Sequence, residues 1–401
     1  MPSLVAWLDA STDDQRRMRE IVSMFTQSDA RDELGIGQIR DALSDGLFPG
    51  TSTLIGRARY LLFVPWCFQV ANEMRGDLDR ARDRIDGLER DLVATLQRET
   101  DGDGLIGRTA GRNVKNLPSA LYWVCLRRYG ILSSPDSDRS DAIERERLRS
   151  SRMDVFEGDE HDAGGWVASL PPRPRDFPQT SGGGFDLTRA EAEWLKVKLQ
   201  VAVNGTLLAD LLDTAPDPSS SAPWLDQAVF AASPDAIRLL EHARRFSLVI
   251  RGAAQIYNLL VAEAYEKDGN SAVDSRVDRY LAGIDDWIRE ISDRRNDLAD
   301  WDISEFWATV RAINPNVNPL TRRFVDDWIT ATRQPAFDLD AARTAIGNRE
   351  RQKKGAQSRL TNPRVLAMWQ GASGAGQLVY RWPQVTTLLT DIHAGLRRPD
   401  A

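Results

Sequence analysis

The chain has 401 residues, 42% hydrophobic and 28% charged, with a net charge of −7. At about 100–200 residues per domain this is length for roughly two domains, each able to bury a core. Twelve Trp and twelve Phe exclude disorder throughout, and 19 Pro with 28 Gly break up any coiled-coil rod.

Helix signals dominate the chain from its start. Ser11 or Thr12 can cap a first predicted helix ending near Gln27, and a second spans Ile36 to Gly46 before the turn LFPG. The longest apolar stretch, Tyr60–Ala71, is too short to cross a bilayer, and its Pro65 predicts a kink or break. Residues 76–98 place Leu78, Ile85 and Leu92 seven apart, one amphipathic stripe too short for a coiled coil. Pro118 to Tyr129 reads as a helix with Pro at its first position and Gly130 past its end.

Residues 133–184 change character, with charged, acidic and Pro/Gly-rich runs that predict a linker or surface insertion. Helices resume at Leu187. Thr188 and Glu191 form a capping box, after which Leu195, Leu199, Val203, Leu207 and Leu211 share one face. A long helix starts at Ser233-Pro234 and runs to about Glu266, and Asp302 with Glu305 marks another N-terminus. Further helices are expected over 273–294, 319–333, 340–354, 363–370 and 383–396. The fold class is mainly α, two helical units joined by a Pro/Gly-rich, charged linker, with at most small β-hairpins. The expected divisions are 1–132, 133–184, 185–341 and a basic 342–401. Trp287, Trp328 and Trp369 are each 41 apart, the first two within DDWI tetrapeptides, but the text between them does not align as a repeat.

Common enzyme signatures fail. No lysine follows a glycine, so there is no phosphate loop, and none of the six lysines has an acid two residues before it. No His-x-Lys occurs, and Gly371-Ala-Ser373-Gly-Ala375 lacks the last glycine of a nucleophile elbow. Gly102-Asp-Gly104-Leu-Ile-Gly107 matches the dinucleotide fingerprint by letters but follows a helix, not a strand. Read as a calcium loop, it would need a carboxylate where Arg112 stands. Two acidic groups remain: Asp154, Glu157, Asp159, Glu160, His161 and Asp162 in a run, and Asp297, Asp300, Asp302 and Glu305. Both read as solvated or capping carboxylates, and no cofactor or metal is expected. The opening MPSLVAWLDASTDD turns acidic where a signal peptide is basic and then apolar. Cys67 and Cys125 lie in apolar helical text, so no disulfide framework is expected. Together these predict a cytoplasmic protein without a membrane partner.

Charge is uneven. Ten basic and three acidic residues lie from Arg343 onward, a segment charge of +7 against −14 for residues 1–342. Within it Arg349, Arg351, Lys353, Lys354 and Arg359 cluster, with Arg349 and Lys353 four apart on one helix face. Such a cluster suits phosphate backbones, which attract cations without a base code. Arg112 and Lys115, beside the Pro118 helix, form a second basic candidate. The competing account folds the basic end against the acidic body. Arg57 and Arg59 face different sides of a helix, so one is expected buried in an ion pair with Asp32 or Asp41, or else in an anion site.

The block RDELGIGQIRDALSDGLFPGTSTLIGRARYLLFVPW (Arg31–Trp66), with GRNVKNLPSALYWVCLRRYGI (Gly111–Ile131), KGAQSRL and YRW (Tyr380–Trp382), resembles an uncharacterised bacterial family, domain of unknown function 6361. The resemblance runs along nearly the whole chain. It implies a setting among helicase-like or nuclease-like components of anti-phage defence clusters, and brings no catalytic residues with it. The combined expectation is a non-catalytic adaptor of a defence assembly, binding partner proteins and DNA or RNA through its basic C-terminal surface. The alternative is a metal-dependent nuclease or phosphodiesterase with non-contiguous carboxylates.

Overall fold

A computed structural model describes residues 32–73, 77–153, 164–270 and 276–399. The first predicted helix, at Ser11–Gln27, and the acidic run 154–162 lie outside the described residues. Among those described, no strand forms, and a single isolated bridge pairs Leu132 with Trp166. In chain order the α-helices are α1 (Gly37–Leu47), α2 (Tyr60–Asn72), α3 (Leu78–Glu99), α4 (Pro118–Arg128), α5 (Arg139–Met153), α6 (Arg189–Ala202), α7 (Leu207–Asp210) and α8 (Pro234–Lys267). They continue with α9 (Val277–Asp293), α10 (Arg295–Ala299), α11 (Ile303–Ile313), α12 (Pro319–Thr332), α13 (Leu339–Lys354), α14 (Pro363–Ala367) and α15 (Trp382–Leu396). The fold is mainly α.

The chain forms two compact units, each discontinuous in sequence: Met1–Leu43 with Glu241–Leu378, and Ser44–Leu240 with Val379–Ala401. The stretch read as a linker belongs to the second unit, where Arg139–Met153 is helical.

In the second unit α2 is buried on every side from Tyr60 to Phe68, which is why its sequence is apolar without periodicity. Pro65 sits inside α2, and the helix continues through it. Phe63, Trp66 and Phe177 pack ring against ring around this helix. The sequence-predicted capping box is present: the Thr188 side chain accepts from Glu191 N–H, and Glu191 Oε2 accepts from Thr188 N–H at 2.9 Å. Glu191 does a second job there. Its Oε1 takes the Arg59 guanidinium at 3.0 Å, while Arg59 also donates to the Gly182 and Gly184 carbonyls. The continuous face expected from Leu195 to Leu211 is instead split. The helix stops at Ala202, Gly205 takes a φ of 77°, and Thr206 caps the short α7.

One of the two arginines expected to be buried, Arg59, is 1% exposed, so the ion-pair expectation holds in kind. The partners differ. Arg59 pairs with Glu191 and Arg57 with Asp391, the latter at 2.8 and 3.0 Å, and Asp391 also accepts from Ala58 N–H. Asp32 instead caps α1, accepting from Ile36 N–H at 2.8 Å and Gly37 N–H at 2.9 Å, and Asp41 pairs with its neighbour Arg40. The glycines of the 102–107 segment serve packing. A Cβ on Gly56 would lie 3.3 Å from the Gly104 backbone, and one on Gly104 would collide with the Arg57 side chain at 2.6 Å. The two loops approach as closely as they do because neither position carries a side chain. Cys67 and Cys125 are buried and unbridged.

In the first unit the long α8 supplies the central wall. Trp287 of α9 donates its indole N–H to the Leu248 carbonyl and Trp328 of α12 donates to the adjacent Val249 carbonyl, both at 2.9 Å. Phe337 stands edge-on to both rings. This aromatic cluster fixes the helical hairpin that follows.

Candidate functional site

The hairpin consists of α12 and α13 joined by residues 333–338. Asn318 caps α12 with Pro319 at its first position, and Asp338 caps α13 by accepting from Ala341 N–H at 2.9 Å. The connection is tied down from outside. Arg295 donates to the Pro335 carbonyl at 2.7 Å, and Arg333 to the Trp301 carbonyl at 2.5 Å.

Between the two helices lies an open cavity of 640 Å³. Its lining is largely apolar: Leu320, Phe324 and Trp328 on α12, facing Ala341, Ala342 and Ala345 on α13. The alanines are the local cause of the groove. Short side chains on α13 opposite large ones on α12 leave a trough that the hairpin does not fill itself. Leu320 is 51% exposed, and Ala345 is exposed. Polar groups stand around the apolar floor, with Arg323, Asp327 and Gln334 on one side and Asn348 and Gln352 on the other.

Arg349 closes one end. Its Nε donates to the Leu34 carbonyl at 2.8 Å, its Nη2 to Thr321 Oγ1 at 2.9 Å, and its guanidinium lies 5.1 Å from the Phe324 ring centre. Thr321 passes the contact on, donating from Oγ1 to the Gly35 carbonyl at 3.0 Å. Burial lowers the Arg349 guanidinium from its ordinary value, and Asp32 opposes that in part. Gly35 has a φ of 72°, and a Cβ there would meet Arg349 Nη2 at 2.8 Å. A glycine is therefore required by both backbone and space.

The basic cluster read from the sequence is thus not one outward surface. Arg349 is 6% exposed and sewn to residues 34 and 321. Lys354 bridges to Glu33 at 3.1 Å, and Arg359 bridges to Glu33 and donates to Tyr257 OH at 2.9 Å. Glu33 itself is 6% exposed. Burial depresses the Arg359 guanidinium, but Tyr257 and Glu33 outweigh it and raise the group overall. Three of the five cations therefore work inside the fold, a correction to the expectation that they face solvent. Only Arg351 and Lys353 of the five are exposed. Arg112 and Lys115 belong to the second unit: Arg112 pairs with Asp91, and Lys115 is exposed beside a cavity of 540 Å³ lined also by Thr53, Asp103 and Gln384.

The carboxylates of 297–305 are dispersed among other tasks. Asp297 sits between Arg244 at 2.7 Å and Arg245 at 2.8 Å, which hold its carboxyl below the usual range against the opposing effect of burial. Asp302 caps α11 through Ser304 and Glu305 N–H. Among the described residues, no three of His, Cys, Asp and Glu are grouped to hold a metal, and no helix is long and apolar enough to cross a membrane.

The model of a family of unknown function, DUF6361, matches residues 2–395. The chain belongs to this family. No curated protein and no solved structure matches it. The groove is what the sequence left unread. Its apolar lining has the ordinary helical spacing of core residues, and nothing local tells an open trough from a filled one.

Proposed function

We propose that this DUF6361 chain is a non-catalytic binding subunit whose α12–α13 groove receives an amphipathic helix of a partner protein. The observation that carries the reading is the open, apolar floor ringed by polar side chains, the geometry of helix-in-groove recognition. The fourteen residues of α12 extend about 21 Å, room for roughly four turns of an incoming helix. Membership of a bacterial defence assembly, which the family resemblance implies, belongs to the same proposal.

Nucleic acid is the weaker partner class. Of the five cations in the C-terminal cluster only Arg351 and Lys353 are exposed. Two charges neutralise few phosphates, whereas the salt-dependent affinity gained scales with that number. The test places a photo-crosslinking residue at Ala345 and identifies what it captures in the native host. Ala341→Arg and Leu320→Glu, with the crosslinking residue kept at position 345, should abolish capture, while Val201→Glu, at an exposed position of α6, should leave it unchanged. Capture indifferent to the groove substitutions overturns the reading. Retention on DNA or RNA that survives Ala341→Arg and is lost on Arg351→Glu with Lys353→Glu identifies the other partner class.

A further inference from the structure

The charges around the α12–α13 groove are sorted by sign. Arg323 and Asp327 line it from α12, one turn apart, which is about 6 Å along the axis. Both are exposed, and among the described residues neither has an ion-pair partner. The pair one position back behaves differently: Arg322 reaches Asp326 at 3.8 Å and lies over the Trp307 ring, so its charge is used within the unit. Sign then follows position. Where Arg349 meets Thr321, Arg323 and Arg349 line the groove, and Arg351 adds a third cation by donating to Asn348 Oδ1 at 2.9 Å. Toward the connection stand Asp327 and Asp338. Arg295 and Arg333, near that connection, are tied to the Pro335 and Trp301 carbonyls, and neither lines the groove. The two helices run antiparallel, so their own dipoles offset one another at each end and the side chains set the field.

We infer that the groove selects its partner helix, and the direction in which that helix lies, by charge. The helix carries acidic residues in its first turn and basic residues in its last. Its N-terminus lies at the Arg323–Arg349 end, parallel to α12. The inference rests on the groove being the binding site proposed above. Acids near a helix N-terminus and bases near its C-terminus are the order that stabilises a free helix against its own dipole. Only the direction parallel to α12 matches that order to the groove. Reversed, the helix would set its acids against Asp327 and Asp338 and its bases against the arginines.

The probe is a synthetic helix of about fifteen residues with leucines at i, i+3, i+4 and i+7. It has glutamates in its first turn, lysines in its last and a benzophenone at its N-terminus. Irradiated with the full chain, it should cross-link to positions 320–324 and 348–352 about ten-fold more than to 331–341, because exposed ion pairs worth a few-fold each multiply. Exchanging the two rim charges, Arg323→Asp with Asp327→Arg, alters only exposed positions and should lower that ratio several-fold. At about 1 M salt, where screening acts within about 3 Å, the ratio should approach one while cross-linking to the groove persists. A ratio near one at low salt, a preference for the connection end, or a ratio unmoved by the charge exchange or by salt each overturns the inference. Cross-linking that is confined to the groove and lost on Leu320→Glu, yet shows no end preference, keeps the groove as a binding site and removes the direction. No cross-linking in the groove removes both.

Discussion

Trp287 and Trp328 stack with ring centres 6.2 Å apart and planes within 15°, and their indole N–H groups donate to the consecutive carbonyls of Leu248 and Val249. The two DDWI tetrapeptides thus present the same residue to successive positions of one helix. The arrangement depends on a missing side chain. A Cβ on Gly252, one turn beyond Leu248, would meet the Trp287 ring at 2.2 Å.

Gly252→Ala should therefore destabilise the chain, although alanine is the better helix former by about 1 kcal/mol. Forcing a methyl into a packed core costs about 1–3 kcal/mol, and here the obstruction is a rigid indole. The urea midpoint of Gly252→Ala should fall below that of the parent. An equal or higher midpoint would show that the ring moves aside freely.

The basic C-terminal segment yields a sharper contrast. Arg349→Ala removes hydrogen bonds from a buried cation to the Leu34 carbonyl and to Thr321, each class of contact worth about 1.5–3 kcal/mol. Arg351→Ala and Lys353→Ala, at exposed positions, should stay within about 0.5 kcal/mol of the parent. Denaturant unfolding of the three variants side by side decides whether Arg349 is a fastener or a surface group.

Which features could be read in advance follows from the range of the interaction. The Thr188–Glu191 capping box, the Asp302 cap and the proline-led helix starts at Pro118 and Pro319 are settled within four residues, and sequence spacing alone exposes them. Ion pairs obey no such spacing. Arg57 finds Asp391 and Arg59 finds Glu191, 334 and 132 residues away. Counting charge along a segment failed for the same reason. Lys354 and Arg359 look unopposed from Arg343 onward because their shared partner, Glu33, lies near the other end of the chain.

The Arg59–Glu191 pair is almost wholly buried, with side chains 1% and 7% exposed. Removing one partner of such a pair costs about 3–5 kcal/mol, because the other is left charged and uncompensated. Glu191→Ala should show that loss and also forfeit the α6 capping box. Arg59→Met with Glu191→Leu should recover much of it. If the double variant is no more stable than Glu191→Ala, the cap outweighs the ion pair.

Two carboxylates, one partly and one fully buried, are shifted in opposite senses, which separates them experimentally. Asp297 lies below its ordinary value because Arg244 and Arg245 outweigh burial, so its stabilisation is complete above the usual carboxylate range and is lost as pH falls through the lowered folded value. Asp297→Asn should then be most damaging at neutral pH and converge on the parent in acid. Glu89 lies above its ordinary value because burial outweighs Arg139 and the two hydrogen bonds from Ser119. As pH rises the unfolded chain ionises first, so this group stabilises the unfolded state progressively until the folded carboxyl ionises too. Glu89→Gln carries no such penalty. Its stability relative to the parent should climb as pH rises from about 4 toward neutrality, opposite to the trend for Asp297→Asn. Unfolding free energies of the three chains from neutrality into acid below the usual carboxylate range test both signs, Glu89→Gln above that range and Asp297→Asn below it. Curves parallel throughout would show that neither carboxylate is shifted by its surroundings.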